Sequence, residues 1–271
     1  MPNVNAVGAG NFDDVQLSTF NANHTSARNS TNAQVTAGGT IANVGHAKIF
    51  SSAIVYRYAV AFDLGGNDAD GSGISGNTVT SAQIVLKTNP NLSGFSAITA
   101  NTNNTVYLAK MDSSEYGSEI SDGGTVNDID GWVSSGTYDG NVTLYEDENV
   151  NEAASATLTF TLNSTAITDI NAAISAGSTL PFMFISQDDF NSNIGTDGIG
   201  DPEGTSGFLT LEGIRIHTAE ASTASNRPIL SLTYGSAASG YGHKVVGVAS
   251  ANIGKVNGVA TANIGKVIGV D

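Results

Sequence analysis

Ser52-Ala53-Ile54-Val55-Tyr56-Arg57-Tyr58-Ala59-Val60-Ala61-Phe62-Asp63 is the stretch on which the fold turns. It holds no Gly or Pro, β-branched and aromatic residues dominate it, and Tyr56, Tyr58, Val60 and Phe62 recur at period two. Alternation of that kind belongs to a β-strand and conflicts with the 3.6-residue period of a helix. Beyond it, the Gly/Asn/Asp-rich loop Gly65–Asn77 leads into a second strand, Val79–Leu86, in which Ala82, Ile84 and Leu86 fall on one face. Further strands are expected at Thr105–Ala109, Val142–Tyr145, Ala156–Leu162, Pro181–Ile185, Phe208–His217 and Pro228–Tyr234. One helix is expected at Thr165–Ser175: Asn163-Ser164 can cap it, Ile167, Ile170 and Ile174 share a face, and Gly177 can end it. Short strands between polar turns predict an all-β fold, a β-sandwich or jelly roll with one short helix, and a C-terminal segment of short-strand repeats follows it.

The composition agrees. Gly, Asn, Ser and Thr supply 115 of the 271 residues, which favours turns and strands over helices. Hydrophobic residues make up 40%, enough for a core. Ten Lys and Arg stand against 25 Asp and Glu, a net charge of −15, so a phosphate backbone is repelled and nucleic-acid binding is not expected. No cysteine is present, which excludes disulfides, thiolate metal sites and cysteine catalysis. No apolar run approaches the 18 or so residues of a membrane span, and no export signal is visible at Met1–Ala6.

Four parts are expected: an N-terminal arm, 1–11; the jelly-roll domain, 12–235; a Gly/Ser linker, 236–243; and a docking or oligomerisation segment, 244–271. The last is an 11-residue repeat. Lys244–Gly254 is followed by Lys255–Gly265 and by a truncated copy, Lys266–Asp271. Each full unit carries two glycines and four β-branched residues, a poor helix, so short extended segments turning at Asn257-Gly258 and its equivalents fit better. The assembly residues are Lys244, Val245, Val248, Ile253, Lys255, Val256, Val259, Ile264, Lys266, Val267 and Val270. Segments so short cannot bury Val and Ile alone and need a partner.

The order of pieces resembles a known family. Arg57–Leu64 resembles the R-x-L-L-R-F-D-L strand of DNRLRE-type jelly-roll domains, which are similar to carbohydrate-binding modules. Val79–Leu86 resembles the V-x-S-A-x-L-x-L strand that follows, the helix sits where that family places one, and Arg227–Tyr234 resembles its closing R-P-x-L-x-V-x-Y strand. Ala61 stands where the second Arg of the family strand is usual. The Lys-Val-x-Gly-Val repeats resemble those at the ends of structural proteins of tailed phages and other marine viruses.

Candidate chemistry is sparse. His24, His46, His217 and His243 show no H-x-x-x-H or H-E-x-x-H spacing, so surface or strand positions are the default. Glu146-Asp147-Glu148, Asp188-Asp189 and Asp128/Asp130 could furnish a glycosidase pair, but acidic loops are expected on so acidic a chain. Asn67, Asp68 and Asp70, followed by Gly71, offer oxygen ligands and a turn for Ca²⁺, and Asp197 and Asp201 form a second such loop; the plain alternative is a solvated acidic turn. Trp132 and Tyr138, with Tyr145 nearby, could stack on a sugar, the alternative being core positions.

These readings point to a non-enzymatic virion structural protein, an exterior capsid (decoration) or tail-fibre component of a bacteriophage. Its body would face outward, and its repeat would dock to other virion proteins or to itself as a homo-oligomer. Surface glycans are a further expected ligand. An extracellular glycan-binding or matrix protein, secreted or held at the cell surface, and a polysaccharide-degrading enzyme are the competing readings.

Overall fold

The strand Ser52–Asp63 organises the molecule. The computed structural model describes residues 3–5, 14–21, 26–27, 33–49, 52–65, 74, 76–90, 95–99, 105–111, 125–126, 143–149, 157–191, 209–234, 255–256 and 259–260. Its strands are β1 (Asn3–Asn5), β2 (Asp14–Asn21), β3 (Ala33–Ala37), β4 (Ile41–Ile49), β5 (Ser52–Asp63), β6 (Val79–Lys87), β7 (Phe95–Thr99) and β8 (Thr105–Lys110). They continue with β9 (Thr125–Val126), β10 (Leu144–Asn149), β11 (Thr157–Thr161), β12 (Thr179–Ser186), β13 (Leu209–His217), β14 (Ile229–Tyr234), β15 (Lys255–Val256) and β16 (Val259–Ala260). The helices include α1 (Ser164–Ala176) and α2 (Gln187–Asn191), and Ala224–Asn226 forms a 3-10 turn.

The strands form a sandwich-like pair of sheets. The smaller has the order β1-β14-β6-β11; the larger runs β10-β8-β12-β5-β2-β3-β9, with the β4–β13–β7 branch joined to it through β5. The pairing of β13 with β7 is parallel, and the others are antiparallel. β1, from the stretch read as an N-terminal arm, pairs with β14 at the edge of the smaller sheet.

One apolar core lies between the sheets. The smaller contributes Ala82, Ile84, Leu86, Leu158, Phe160, Leu230 and Leu232; the larger contributes Tyr58, Val60, Phe62, Val106, Leu108, Phe182 and Phe184. Phe160 meets Phe184 edge-on across the gap, centroids 5.1 Å apart. Each such buried ring or branched side chain stabilises the fold by about 1.5–3 kcal/mol before entropy is counted. The period-two pattern of the opening stretch holds for Tyr58, Val60 and Phe62, whereas Tyr56 joins a separate cluster with Ala47, Ile54 and Leu211. The alternate positions Ala53, Val55, Arg57, Ala59 and Ala61 are buried as well, so β5 is covered on both faces.

The expected helix is present. Asn163 Oδ1 accepts from the Thr165 and Ala166 amides, and Gly177 closes the far end at φ 63°, the left-handed conformation that glycine adopts without a Cβ penalty. Ala166, Ile170, Ala173 and Ile174 enter the core. Asn171 seizes the start of β6, accepting from the Val79 amide at 2.8 Å and donating to its carbonyl at 2.9 Å. Asp169 on the other flank accepts from Tyr145 Oη at 2.5 Å and Lys110 Nζ at 2.8 Å. Burial pushes the Asp169 carboxyl up, but these two donors outweigh it and hold it below its ordinary value. The helix is thus tied to both sheets.

Candidate functional site

The polar chemistry of the described residues collects where two strands share one edge of β5. β4 takes that edge from Ser52 to Tyr56, and β12 takes it from Tyr58 to Asp63. Arg57 falls at the changeover, fully buried. A guanidinium cannot lose its charge, so a buried one requires a carboxylate. Asp189 supplies it: Arg57 Nε donates to Oδ2 at 2.6 Å and Nη2 to Oδ1 at 2.9 Å, a two-pronged pair with both side chains out of water. Asp189 lies on α2, which begins directly after β12, and its amide donates to Ser186 Oγ at 3.4 Å.

The same short helix brings Asp188 beside β4 and β13. His46 of β4 and Glu212 of β13 are directly opposed in the ladder, and their Nε2 and Oε2 atoms are 3.1 Å apart. With a carboxylate oxygen of Asp188 they form a trio whose ligating atoms all lie within 4.8 Å of one another. His46 and Glu212 are buried and Asp188 is half-buried. Glu212 Oε1, also buried, makes no hydrogen bond. One imidazole and two carboxylates around a common centre can hold a divalent cation.

A glycine pair sets this approach. Gly45 and Gly213 face each other one residue from His46 and Glu212, with φ 139° and 149°. A Cβ on Gly45 would stand 2.1 Å from the Glu212 carbonyl oxygen, and one on Gly213 would stand 2.1 Å from that of Val44. Only glycine permits strands this close.

A second buried polar group lies on the β2 side. Asp14 Oδ2 accepts from Tyr58 Oη at 2.5 Å and from the Ala219 amide at 2.6 Å. Burial, reinforced by a hydrogen bond with the Glu220 carboxyl, pushes the Asp14 carboxyl up to about 8, against the pull of those two donors. Nearby, Gln16 Oε1 accepts from the backbone and side-chain amides of Asn43, both at 2.8 Å, and Asn43 Oδ1 accepts from Arg215 Nε at 3.1 Å.

Most residues singled out from sequence lie outside the described ones: Asn67, Asp68, Asp70, Asp197 and Asp201 of the calcium loops, Trp132 and Tyr138, Asp128 and Asp130, and Lys244, Val245, Val248, Ile253, Ile264, Lys266, Val267 and Val270. Of the repeat, Lys255, Val256 and Val259 are described. β15 and β16 pair antiparallel as a two-stranded sheet of their own, with Val256 opposite Val259 and Lys255 opposite Ala260. Tyr145 is not a sugar platform but a core residue against Phe182. Glu146, Asp147 and Glu148 are strand residues opposite Leu108, Tyr107 and Val106, not an acidic loop. Asp188 and Asp189 do not act as a pair: Asp189 neutralises Arg57, and Asp188 turns to His46 and Glu212. The sequence reading left His46 as a surface or strand histidine and did not single out Glu212. The chain matches no protein-family model and no curated protein.

Proposed function

We propose that the chain is a non-enzymatic structural protein of a virus particle, an exterior capsid or tail-fibre component of a tailed phage. In this reading the sandwich is a jelly-roll body displayed outward, and the C-terminal repeat docks it to other virion proteins or to a second copy of itself. The observation that carries the reading is the β15–β16 pair. Among the described residues its strands pair with each other in a sheet separate from the two body sheets, and they set Val256 directly across from Val259. A lone two-stranded ribbon is marginal in water, and the repeat places further Val and Ile residues at the same 11-residue intervals. Burial against a partner sheet by strand addition resolves both problems. The charge pattern supports it: residues 241–271 hold three Lys against one Asp, while the rest of the chain carries −17. A basic repeat on an acidic body favours contact between copies or with another acidic virion protein.

The test compares the full chain with a Val256→Asp/Val259→Asp variant by light scattering and by incorporation into particles. Docking through the repeat predicts smaller assemblies and lost incorporation with an unchanged melting temperature of the body. Equal mass and equal incorporation would remove the assembly role.

A further inference from the structure

We propose that His46, Asp188 and Glu212 form a binding site for a first-row divalent metal ion of the Zn²⁺ class, which fastens α2 to the β4–β13 pair. The proposal is independent of the assembly role given to the repeat. Three observations meet in it.

The first is geometry. Ligands about 2.0–2.2 Å from one tetrahedral ion lie roughly 3.3–3.6 Å from each other. His46 Nε2 and Glu212 Oε2 are already 3.1 Å apart, and the Asp188 oxygen is within 4.8 Å of both. Asp188 is the half-buried member, at the second position of a five-residue helix, so small side-chain adjustments close the trio.

The second is an unsatisfied acceptor. The Glu212 side chain is 5% exposed, yet Oε1 makes no hydrogen bond. A buried carboxylate oxygen left so is costly, and a cation bound by that carboxylate removes the cost.

The third is charge. The cluster sets two carboxylates, Asp188 and Glu212, around one imidazole. Two carboxylates at one site match the charge of one divalent cation.

The donor set selects the metal. Imidazole nitrogen suits Zn²⁺ and its neighbours and disfavours Ca²⁺ and Mg²⁺, which take oxygen shells of six or more ligands. Three protein ligands leave a fourth position for water at the half-exposed side of Asp188. The Arg57–Asp189 fork, one residue along α2, holds that helix in place to present Asp188. The bound ion would join residues distant in the chain, at 46, 188 and 212, and would add stability by mass action.

The experiment uses the full chain stripped with chelator and titrated with Zn²⁺, Ca²⁺ and Co²⁺ separately. Expected are one Zn²⁺ per chain, a raised melting temperature, no comparable shift with Ca²⁺, and a Co²⁺ visible spectrum of four- or five-coordinate intensity. Asp188→Asn and Glu212→Gln should each weaken Zn²⁺ binding beyond the roughly 10–100-fold that loss of a supporting contact causes. Both should also bleach the Co²⁺ bands. The wild-type titration decides even if a variant fails to fold: absence of stoichiometric Zn²⁺ uptake overturns the proposal. Uptake that persists unchanged in Asp188→Asn and Glu212→Gln also overturns it, because the ion then sits on other histidines.

Discussion

Replacing Asp14 by Asn tests the buried carboxyl pair beside Tyr58, because the amide reproduces the protonated acid. Its oxygen can accept from Tyr58 Oη and the Ala219 amide as Asp14 Oδ2 does, and its nitrogen can donate to Glu220. Burial, then Glu220, raises the Asp14 carboxyl from 3.8 to about 8. The sign follows. Below about pH 4 both folded and unfolded chains hold the proton, and Asp14 costs nothing. Between about pH 4 and 8 only the folded chain holds it, so the group removes stability as pH rises, at up to about 1.4 kcal/mol per pH unit. Above about pH 8 the loss is complete, and over the window it reaches a few kcal/mol. Asp14→Asn should therefore match the wild type near pH 4.5 and exceed it increasingly toward pH 8. Urea unfolding at half-unit pH steps, in chelator to keep metal out, measures the difference directly. Subtracting the two curves cancels the titrating groups that do not contact Asp14. A difference that stays flat from pH 5 to 8, or a variant less stable at pH 8, would refute a neutral Asp14 in the fold.

Two further perturbations address the junction on β5. Asp189→Ala should cost about 3–5 kcal/mol in urea unfolding, because it strands the buried Arg57 charge, while Arg57→Met/Asp189→Ala should recover most of that loss. A double variant as unstable as the single one would mean that packing rather than charge holds the site. Gly45→Ala should cost at least about 3 kcal/mol through its clash with the Glu212 carbonyl, whereas Gly39→Ala, whose Cβ meets only the Ile41 carbonyl at 3.5 Å, should stay within about 0.5 kcal/mol. Equal thermal shifts for the two would contradict the close strand approach.

The elements legible in the sequence are those with dense, large side chains at a regular period. β5, β6, β8, β11 to β14 and α1 belong to this group, with ends that match or fall within two residues. β2, β3 and β4 escaped because their signals are dilute. Ala33–Ala37 offers one large apolar residue, and Ile41–Ile49 is interrupted by Gly45, which from sequence reads as a breaker. The structure uses that glycine to admit the β13 backbone, a tertiary need that no local pattern encodes. β10 was displaced for a different reason. Glu146-Asp147-Glu148 has the composition of a loop, and its ladder with Leu108, Tyr107 and Val106 overrides that preference.

The candidate metal site was illegible for a related reason. Spacing rules find ligands that share one helix or loop, and here a strand, a short helix and another strand each supply one. The usable signal was Arg57. A cation inside an apolar strand announces a buried carboxylate, although not which of the 25 acidic residues answers it. That answer also explains how one strand edge serves two partners. β4 and β12 compete for β5, and nothing apolar in either would stop it at Tyr56 or Tyr58. β12 ends because Gln187 begins a helix, and that helix is held at this point by Asp189 reaching Arg57. The space so vacated admits the β4–β13 pair, whose glycines let His46 and Glu212 close on Asp188. The ion pair thus fixes where the larger sheet divides, and the division creates the pocket of ligands. Loss of Asp189 should therefore weaken Zn²⁺ binding as well as stability, because it releases the helix that carries Asp188.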